Sequence, residues 1–164
     1  MGLGNIKQTR KHYLSINGGK VIIDKGNGKK DSFSFVEGVL EGIYTKDRTF
    51  NGENVRRWYL DLKDGKDIYS ICFPYSSGVF KSIILSLASD EKLNRSTPIR
   101  IEPYEKNGYS KAVVYSDGTK LDWIVKELPP VEEVMVGGKN VKDDSKRMEF
   151  ICSLCSTIMQ RIGE

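Results

Sequence analysis

Three cysteines, one histidine and five prolines are all that 164 residues hold of these types, and each scarcity excludes something. An odd, sparse set of cysteines builds no disulfide framework. Cys152 and Cys155 form a C-x-x-C pair, but there is no second cysteine pair, and a tetrahedral zinc site takes four Cys or His ligands. The pair reads as two small side chains on a helix face, and no metal or other cofactor is expected. A Cys–His or Ser–His mechanism would have to use His12, the only histidine, and the sequence has no G-x-S-x-G, G-x-x-x-x-G-K-[ST] or H-E-x-x-H. The adjacent carboxylates Glu132–Glu133 and Asp143–Asp144 fall in linker or cap positions, where charge serves solvation and capping. The chain does not read as an enzyme.

Long apolar runs are missing too. The longest lies within residues 82–88, against roughly 20 residues for a membrane span. The N-terminal stretch MGLGNIKQTRK has no apolar signal core, and Ile6 stands where a myristoylation motif needs Ser or Thr. A cytoplasmic protein is expected.

What is present is β-type sequence rich in glycine, with 16 glycines, 38% hydrophobic and 29% charged residues, and a net charge of +4. That composition suits one soluble, mainly β domain with extensions, and the mild basic excess favours a polyanionic partner. Asn17-Gly18-Gly19 predicts an N-terminal hairpin. A long strand-like run covers 32–46, and its Gly38 and Gly42 read as bulges or bends of a strongly curled sheet. Residues 47–54 read as a loop tip. Ser76 or Ser77 caps a predicted helix in which Phe80, Ile83, Ile84 and Leu87 share a face. Further strands follow, joined by the loop EKNG and a turn at Asp117-Gly118. Residues 128–142, with adjacent prolines and adjacent glycines, read as a linker. Over 143–164 an amphipathic helix carries Met148, Ile151, Cys152, Cys155, Ile158, Met159 and Ile162 in one stripe, suited to docking on the domain, on a second copy or on a protein partner.

The segment NVRRWYLDLKDGKDIYSICF divides by face. With Asp64-Gly65 as turn residues, Lys63 pairs with Lys66, Trp58 with Ile71 and Tyr59 with Ser70. One face, Trp58, Leu60, Leu62, Tyr69, Ile71 and Phe73, is a core. The other carries Arg57, Tyr59, Lys63 and Lys66, cations around an aromatic, a surface on which phosphates are held by charge while a base stacks on the ring.

A long bent strand, a two-strand hairpin, a helix and two more strands is the element order of an OB-fold. That fold is a five-stranded Greek-key barrel that binds oligonucleotides on strands 2 and 3 between two flanking loops. The stretch from Phe33 to Val125 resembles the OB-fold single-stranded DNA-binding proteins, especially the divergent kind of bacteriophages and mobile elements. The resemblance implies a barrel over about 33–125 within a domain 1–127, with an additional N-terminal hairpin. It also implies non-sequence-specific binding of single-stranded DNA in replication or recombination, in a bacterial host cell if phage-encoded. The flanking loops would add Arg48 and Phe50 from one side and Lys106, Tyr109 and Lys111 from the other. A β-barrel protein-interaction module of a phage or replication assembly, or an RNA-binding OB-fold, remains open. The usual acidic tail of that family is replaced here by the apolar-striped helix.

Overall fold

The computed structural model describes residues 10–24 and 28–163; the N-terminal segment 1–9 and residues 25–27 of the Lys- and Gly-rich loop lie outside the described residues. Among the described residues eleven strands, nine in one sheet and two in a separate pair, build a mainly β architecture. The strands are β1 (Arg10–Asn17), β2 (Lys20–Asp24), β3 (Lys30–Phe33), β4 (Val36–Phe50), β5 (Glu53–Asp64), β6 (Asp67–Pro74), β7 (Pro98–Lys106), β8 (Tyr109–Ser116) and β9 (Thr119–Lys120). They form one nine-stranded sheet ordered β3-β2-β1-β6-β5-β4-β7-β8-β9. Helix α1 (Gly78–Ser89) follows β6, β10 (Glu132–Val136) and β11 (Lys139–Asp143) make a separate pair, and α2 (Ser145–Gly163) ends the chain.

The five expected strands follow in the expected chain order, β4, β5, β6, α1, β7 and β8, and lie side by side as β6-β5-β4-β7-β8. The sheet is nevertheless not closed, and it has nine strands rather than five. The reason lies in the N-terminal hairpin. Strand β1 pairs in parallel with β6, Leu14 against Ile71 and His12 against Tyr69, occupying the backbone edge that a five-stranded barrel would use for closure. Its turn then touches the far side of the sheet. Gly19, at φ 72°, lies so close to the β7–β8 hairpin that a Cβ there would sit 2.6 Å from the Glu105 nitrogen, and its N–H donates to Ser110 Oγ at 3.1 Å. Only glycine tolerates both the positive φ and the approach.

Strand β4 carries the sheet's curvature. Its pairing with β5 shifts between Leu40 and Gly42, so Glu41 is an extra residue, a β-bulge as the glycine content suggests. Gly38 marks a close backbone approach instead, since a Cβ there would meet the Lys63 carbonyl oxygen at 2.8 Å. The segment 47–54 is not a loop. Strands β4 and β5 continue to a two-residue turn, Asn51-Gly52, both at positive φ, and EKNG likewise reduces to the turn Asn107-Gly108. Turns at Gly18-Gly19 and Asp117-Gly118 stand as expected.

The core lies under one face of this sheet, where Leu14, Leu40, Ile43, Trp58, Leu60, Leu62, Ile71 and Phe73 meet the helices. Trp58 stacks on Phe80 at 4.6 Å and on Tyr75 at 5.8 Å. Ser77 caps α1 by accepting from the Phe80 N–H at 3.2 Å. From Phe80 to Ala88 only Ser82 escapes full burial, because α2 covers the side of α1 that the sheet leaves open. Met148, Ile151, Leu154, Cys155, Ile158 and Ile162 of α2 join the same core. The stripe proposed for a second copy or a protein partner is therefore occupied within the chain, and the outer side of α2 is polar. Segment 128–142, read as a linker, contains most of the β10–β11 hairpin.

Helices α1 and α2 run side by side in the same direction. Ser76 donates to Asp144 at 3.3 Å where they begin. Where they end, each receives an arginine: Arg161 donates to the Ala88 and Asp90 carbonyls at 2.7 and 3.0 Å, and Arg95 to those of Ile162 and Gly163 at 3.2 and 3.0 Å. Two helix C-termini brought together concentrate partial negative charge and unbonded carbonyls, and a guanidinium answers both. Arg161→Ala should lower stability by about 1.5–3 kcal/mol, the range for bonds to charged donors, measured by denaturant unfolding. Burial pushes the Cys155 thiol up to about 12 from 9.0, so it stays protonated at neutral pH. Thiol titration of the folded protein at pH 8 should label Cys155 only as fast as the protein unfolds, well behind the half-buried Cys72 and Cys152.

Candidate nucleic-acid interface

The β5–β6 hairpin turns one residue later than its Asp-Gly suggests. Asp64 pairs with Asp67, leaving Gly65 at φ 61° and Lys66 as the turn, an arrangement that places glycine first as a type II′ loop requires. Every cross-strand partner changes: Trp58 faces Phe73, Tyr59 faces Cys72, Leu60 faces Ile71 and Asp61 faces Ser70. The faces do not change, because a slip of two residues preserves the alternation.

The face opposite the core collects side chains from four strands. Across β1, β6, β5 and β4 it carries Lys11 and Tyr13, Ser70 and Cys72, Arg57, Tyr59, Asp61 and Lys63, and Tyr44, Lys46 and Arg48. These are arranged in depth. Tyr59 is only 2% exposed, with Tyr44 stacked over it at 5.5 Å and Lys46 5.5 Å from its ring centre. Burial, then the neighbouring Cys72, hold the Tyr59 phenol above its usual range. Tyr59 is therefore the floor of the layer and cannot receive a base, contrary to its expected role as a stacking residue.

Asp61 is buried beside it and organises the layer above. Lys11 Nζ donates to the Tyr44 hydroxyl at 3.0 Å, and that hydroxyl donates to the Asp61 carboxylate at 3.0 Å. Lys11 also lies 3.7 Å from Asp61, and its bond to Tyr44, followed by the Asp61 charge, raises its pKa. The lysines interleave with rings: Lys11 is 5.5 Å from the centre of Tyr13 and 5.6 Å from Tyr44, and Lys46 is 5.6 Å from Tyr44. Arg57 Nε donates to Cys72 Sγ at 2.9 Å. Among the described residues Lys46, Arg48, Arg57 and Lys63 make no ion pair. Tyr13, 52% exposed, is the accessible ring of the set.

A second group lies on the β7–β8 hairpin. Tyr104 opposes Lys111 and Lys106 opposes Tyr109, so all four share the face directed away from the core, and Tyr109 is 73% exposed. The opposite face of that tip, through Glu105 and Ser110, rests on the turn of the β1–β2 hairpin. Continuing the β1–β6 register by three residues brings that turn level with Pro74, which pairs with Arg57, itself opposite Lys46. The β1–β2 turn thus links the β7–β8 hairpin to the strand that borders the layered face.

Of the residues expected in the site, Arg48, Arg57 and Lys63 lie on the layered face, and Lys106, Tyr109 and Lys111 on the adjoining hairpin. Lys66 is displaced to a turn. Phe50 ends β4, and its side chain lies outside the described residues. Lys11, Tyr13, Tyr44, Lys46 and Tyr104 were not singled out in the sequence. The last three were legible once alternation was followed past Thr45 and Pro103, whereas Lys11 and Tyr13 reach the face through parallel pairing with a strand more than 50 residues away. Among the described residues no group of three His, Cys, Asp or Glu is placed to hold a metal ion, and no helix is long and apolar enough to cross a membrane.

The layering gives a stability contrast. Tyr59→Ala should destabilise by about 3–5 kcal/mol, as aromatic truncation in a core does, while Tyr13→Ala stays within about 0.5 kcal/mol; thermal melts of the two variants decide it. Comparison of the chain with protein-family models, curated proteins and solved structures found no match.

Proposed function

We propose that this protein binds single-stranded nucleic acid, DNA in the first place, along the layered face of β1, β6, β5 and β4, continuing onto the β7–β8 hairpin. On this reading β6-β5-β4-β7-β8 with α1 is an OB-like unit held open by the N-terminal strands. The observation that carries the proposal is the interleaving of Lys11 and Lys46 with Tyr13, Tyr44 and Tyr59, beside cations that make no ion pair among the described residues. Phosphates follow Lys46, Arg48, Arg57 and Lys63, and bases stack on Tyr13, Tyr104 and Tyr109. Contacts of this kind read little sequence, since every base offers a ring face. Binding is passive and requires no cofactor.

A protein ligand is the second reading. It is favoured by a groove of about 880 Å³ between the β2–β3 hairpin and β4, lined by Val21, Ile23, Phe33, Phe35, Val36 and Tyr69 among others.

Fluorescence anisotropy with an oligonucleotide of about 20–30 nucleotides separates the readings. Four or five phosphate contacts predict a log–log salt slope of about −3, at about −0.7 each. Tyr13→Ala should weaken binding by about 1–3 kcal/mol, the worth of one stacked base, without loss of stability. A flat salt response, or no binding at low salt, would end the proposal and leave the groove as the site to pursue.

A further inference from the structure

The β10–β11 hairpin stands apart from the nine-stranded sheet. Every residue of β10 is exposed, as is every residue of β11 except Asp143. Val134 pairs with Val141 and Val136 with Lys139 across the turn Gly137-Gly138, which puts Val134, Val136 and Val141 on one face, while Met135 on the other is 72% exposed. A lone two-stranded hairpin buries too little to be stable in water and gains from a third or fourth strand. It also presents unpaired edges, the usual template for adding a strand.

We propose that the hairpin pairs with the same hairpin of a second copy of this chain, strand β11 against β11 about a two-fold axis at Val141. The hydrogen-bonding phase permits it. In a two-residue hairpin the pair flanking the turn, Val136 and Lys139, exchanges bonds, so Val141 also points its backbone groups inward, and Asn140 and Lys142 point theirs outward. A two-fold axis at Val141 sets Asn140 of one protomer opposite Lys142 of the partner subunit, and the two outward residues meet. The same operation sets Lys139 opposite Asp143 of the partner subunit, twice by symmetry. Asp143 bonds Ser145 through a single carboxylate oxygen, which leaves the other oxygen for that lysine. The result is a four-stranded sheet with Val134 and Val141 of both copies in one stripe. Strand β10 has no such match: an axis at Val134 would set Glu132 against Val136 and Glu133 against Met135. Charge complementarity therefore selects β11 and a second copy.

Sedimentation equilibrium of the full chain over a wide concentration range tests the pairing. The mass should rise from 18.5 kDa toward twice that value at high concentration. Val141→Lys and Lys139→Glu should each weaken self-association about tenfold or more, equivalent to about 1.4 kcal/mol, while melting curves remain unchanged because both side chains are exposed. In mixed isotope-labelled samples, contacts between Asn140 and Lys142 of different copies are expected. A chain that stays monomeric at every concentration, a dimer indifferent to both variants, or contacts between Glu133 and Met135 instead would overturn the proposal.

Discussion

One extra residue in a strand decides which side chains meet above the sheet. Before Glu41, Val39 shares a face with Lys63 while Leu40 enters the core; after it, Gly42 opposes Asp61 and Ile43 enters the core. Without the bulge, alternation from Leu40 would place Gly42, Tyr44 and Lys46 inward and leave Ile43, Thr45 and Asp47 outside. With it, Tyr44 falls over Tyr59, and Lys46 and Arg48 join Arg57 on one surface. The core and the cationic layer are thus consequences of the same backbone irregularity.

The layer illustrates why the face away from a core is not the same as the exposed face. Polar alternation correctly separated Arg57, Tyr59 and Lys63 from Trp58, Leu60 and Leu62. It could not report that Tyr44 from β4 and the cations around it would cover Tyr59, because that depends on a bulge in another strand. Asp61 compounds the effect. A buried carboxylate is tolerable only with partners, and meeting it recruits Tyr44 and Lys11 into one fixed arrangement. Accessibility passes outward to Tyr13 and to the β7–β8 tip.

Local signals in the sequence were the reliable ones. The Gly18-Gly19 and Asp117-Gly118 turns, the Ser77 cap and the two amphipathic helices follow from chemistry within a few residues. The face assignment survived a turn misplaced by one residue because the resulting slip was even. Errors arose where short motifs were read too broadly: Asn51-Gly52 and Asn107-Gly108 close hairpins rather than loops, and Gly137-Gly138 turns a hairpin rather than relaxing a linker. The parallel pairing of β1 with β6 had no local signal. It joins strands distant in sequence, and it adds β1, β2 and β3 to the sheet beyond β6.

With α2 laid along α1 and arginines closing both helix ends, the helices cover much of the apolar side of the sheet, and the proposed binding surface is the layered face on its other side. The most direct measurement is photo-crosslinking of an iodouracil-substituted single strand followed by peptide mapping. Crosslinks at Tyr13, Tyr104 or Tyr109, lost in competition with unmodified single strand but not with duplex, are the predicted result. Crosslinks confined to the β2–β3 groove, or scattered over lysines without regard to this face, would contradict the account.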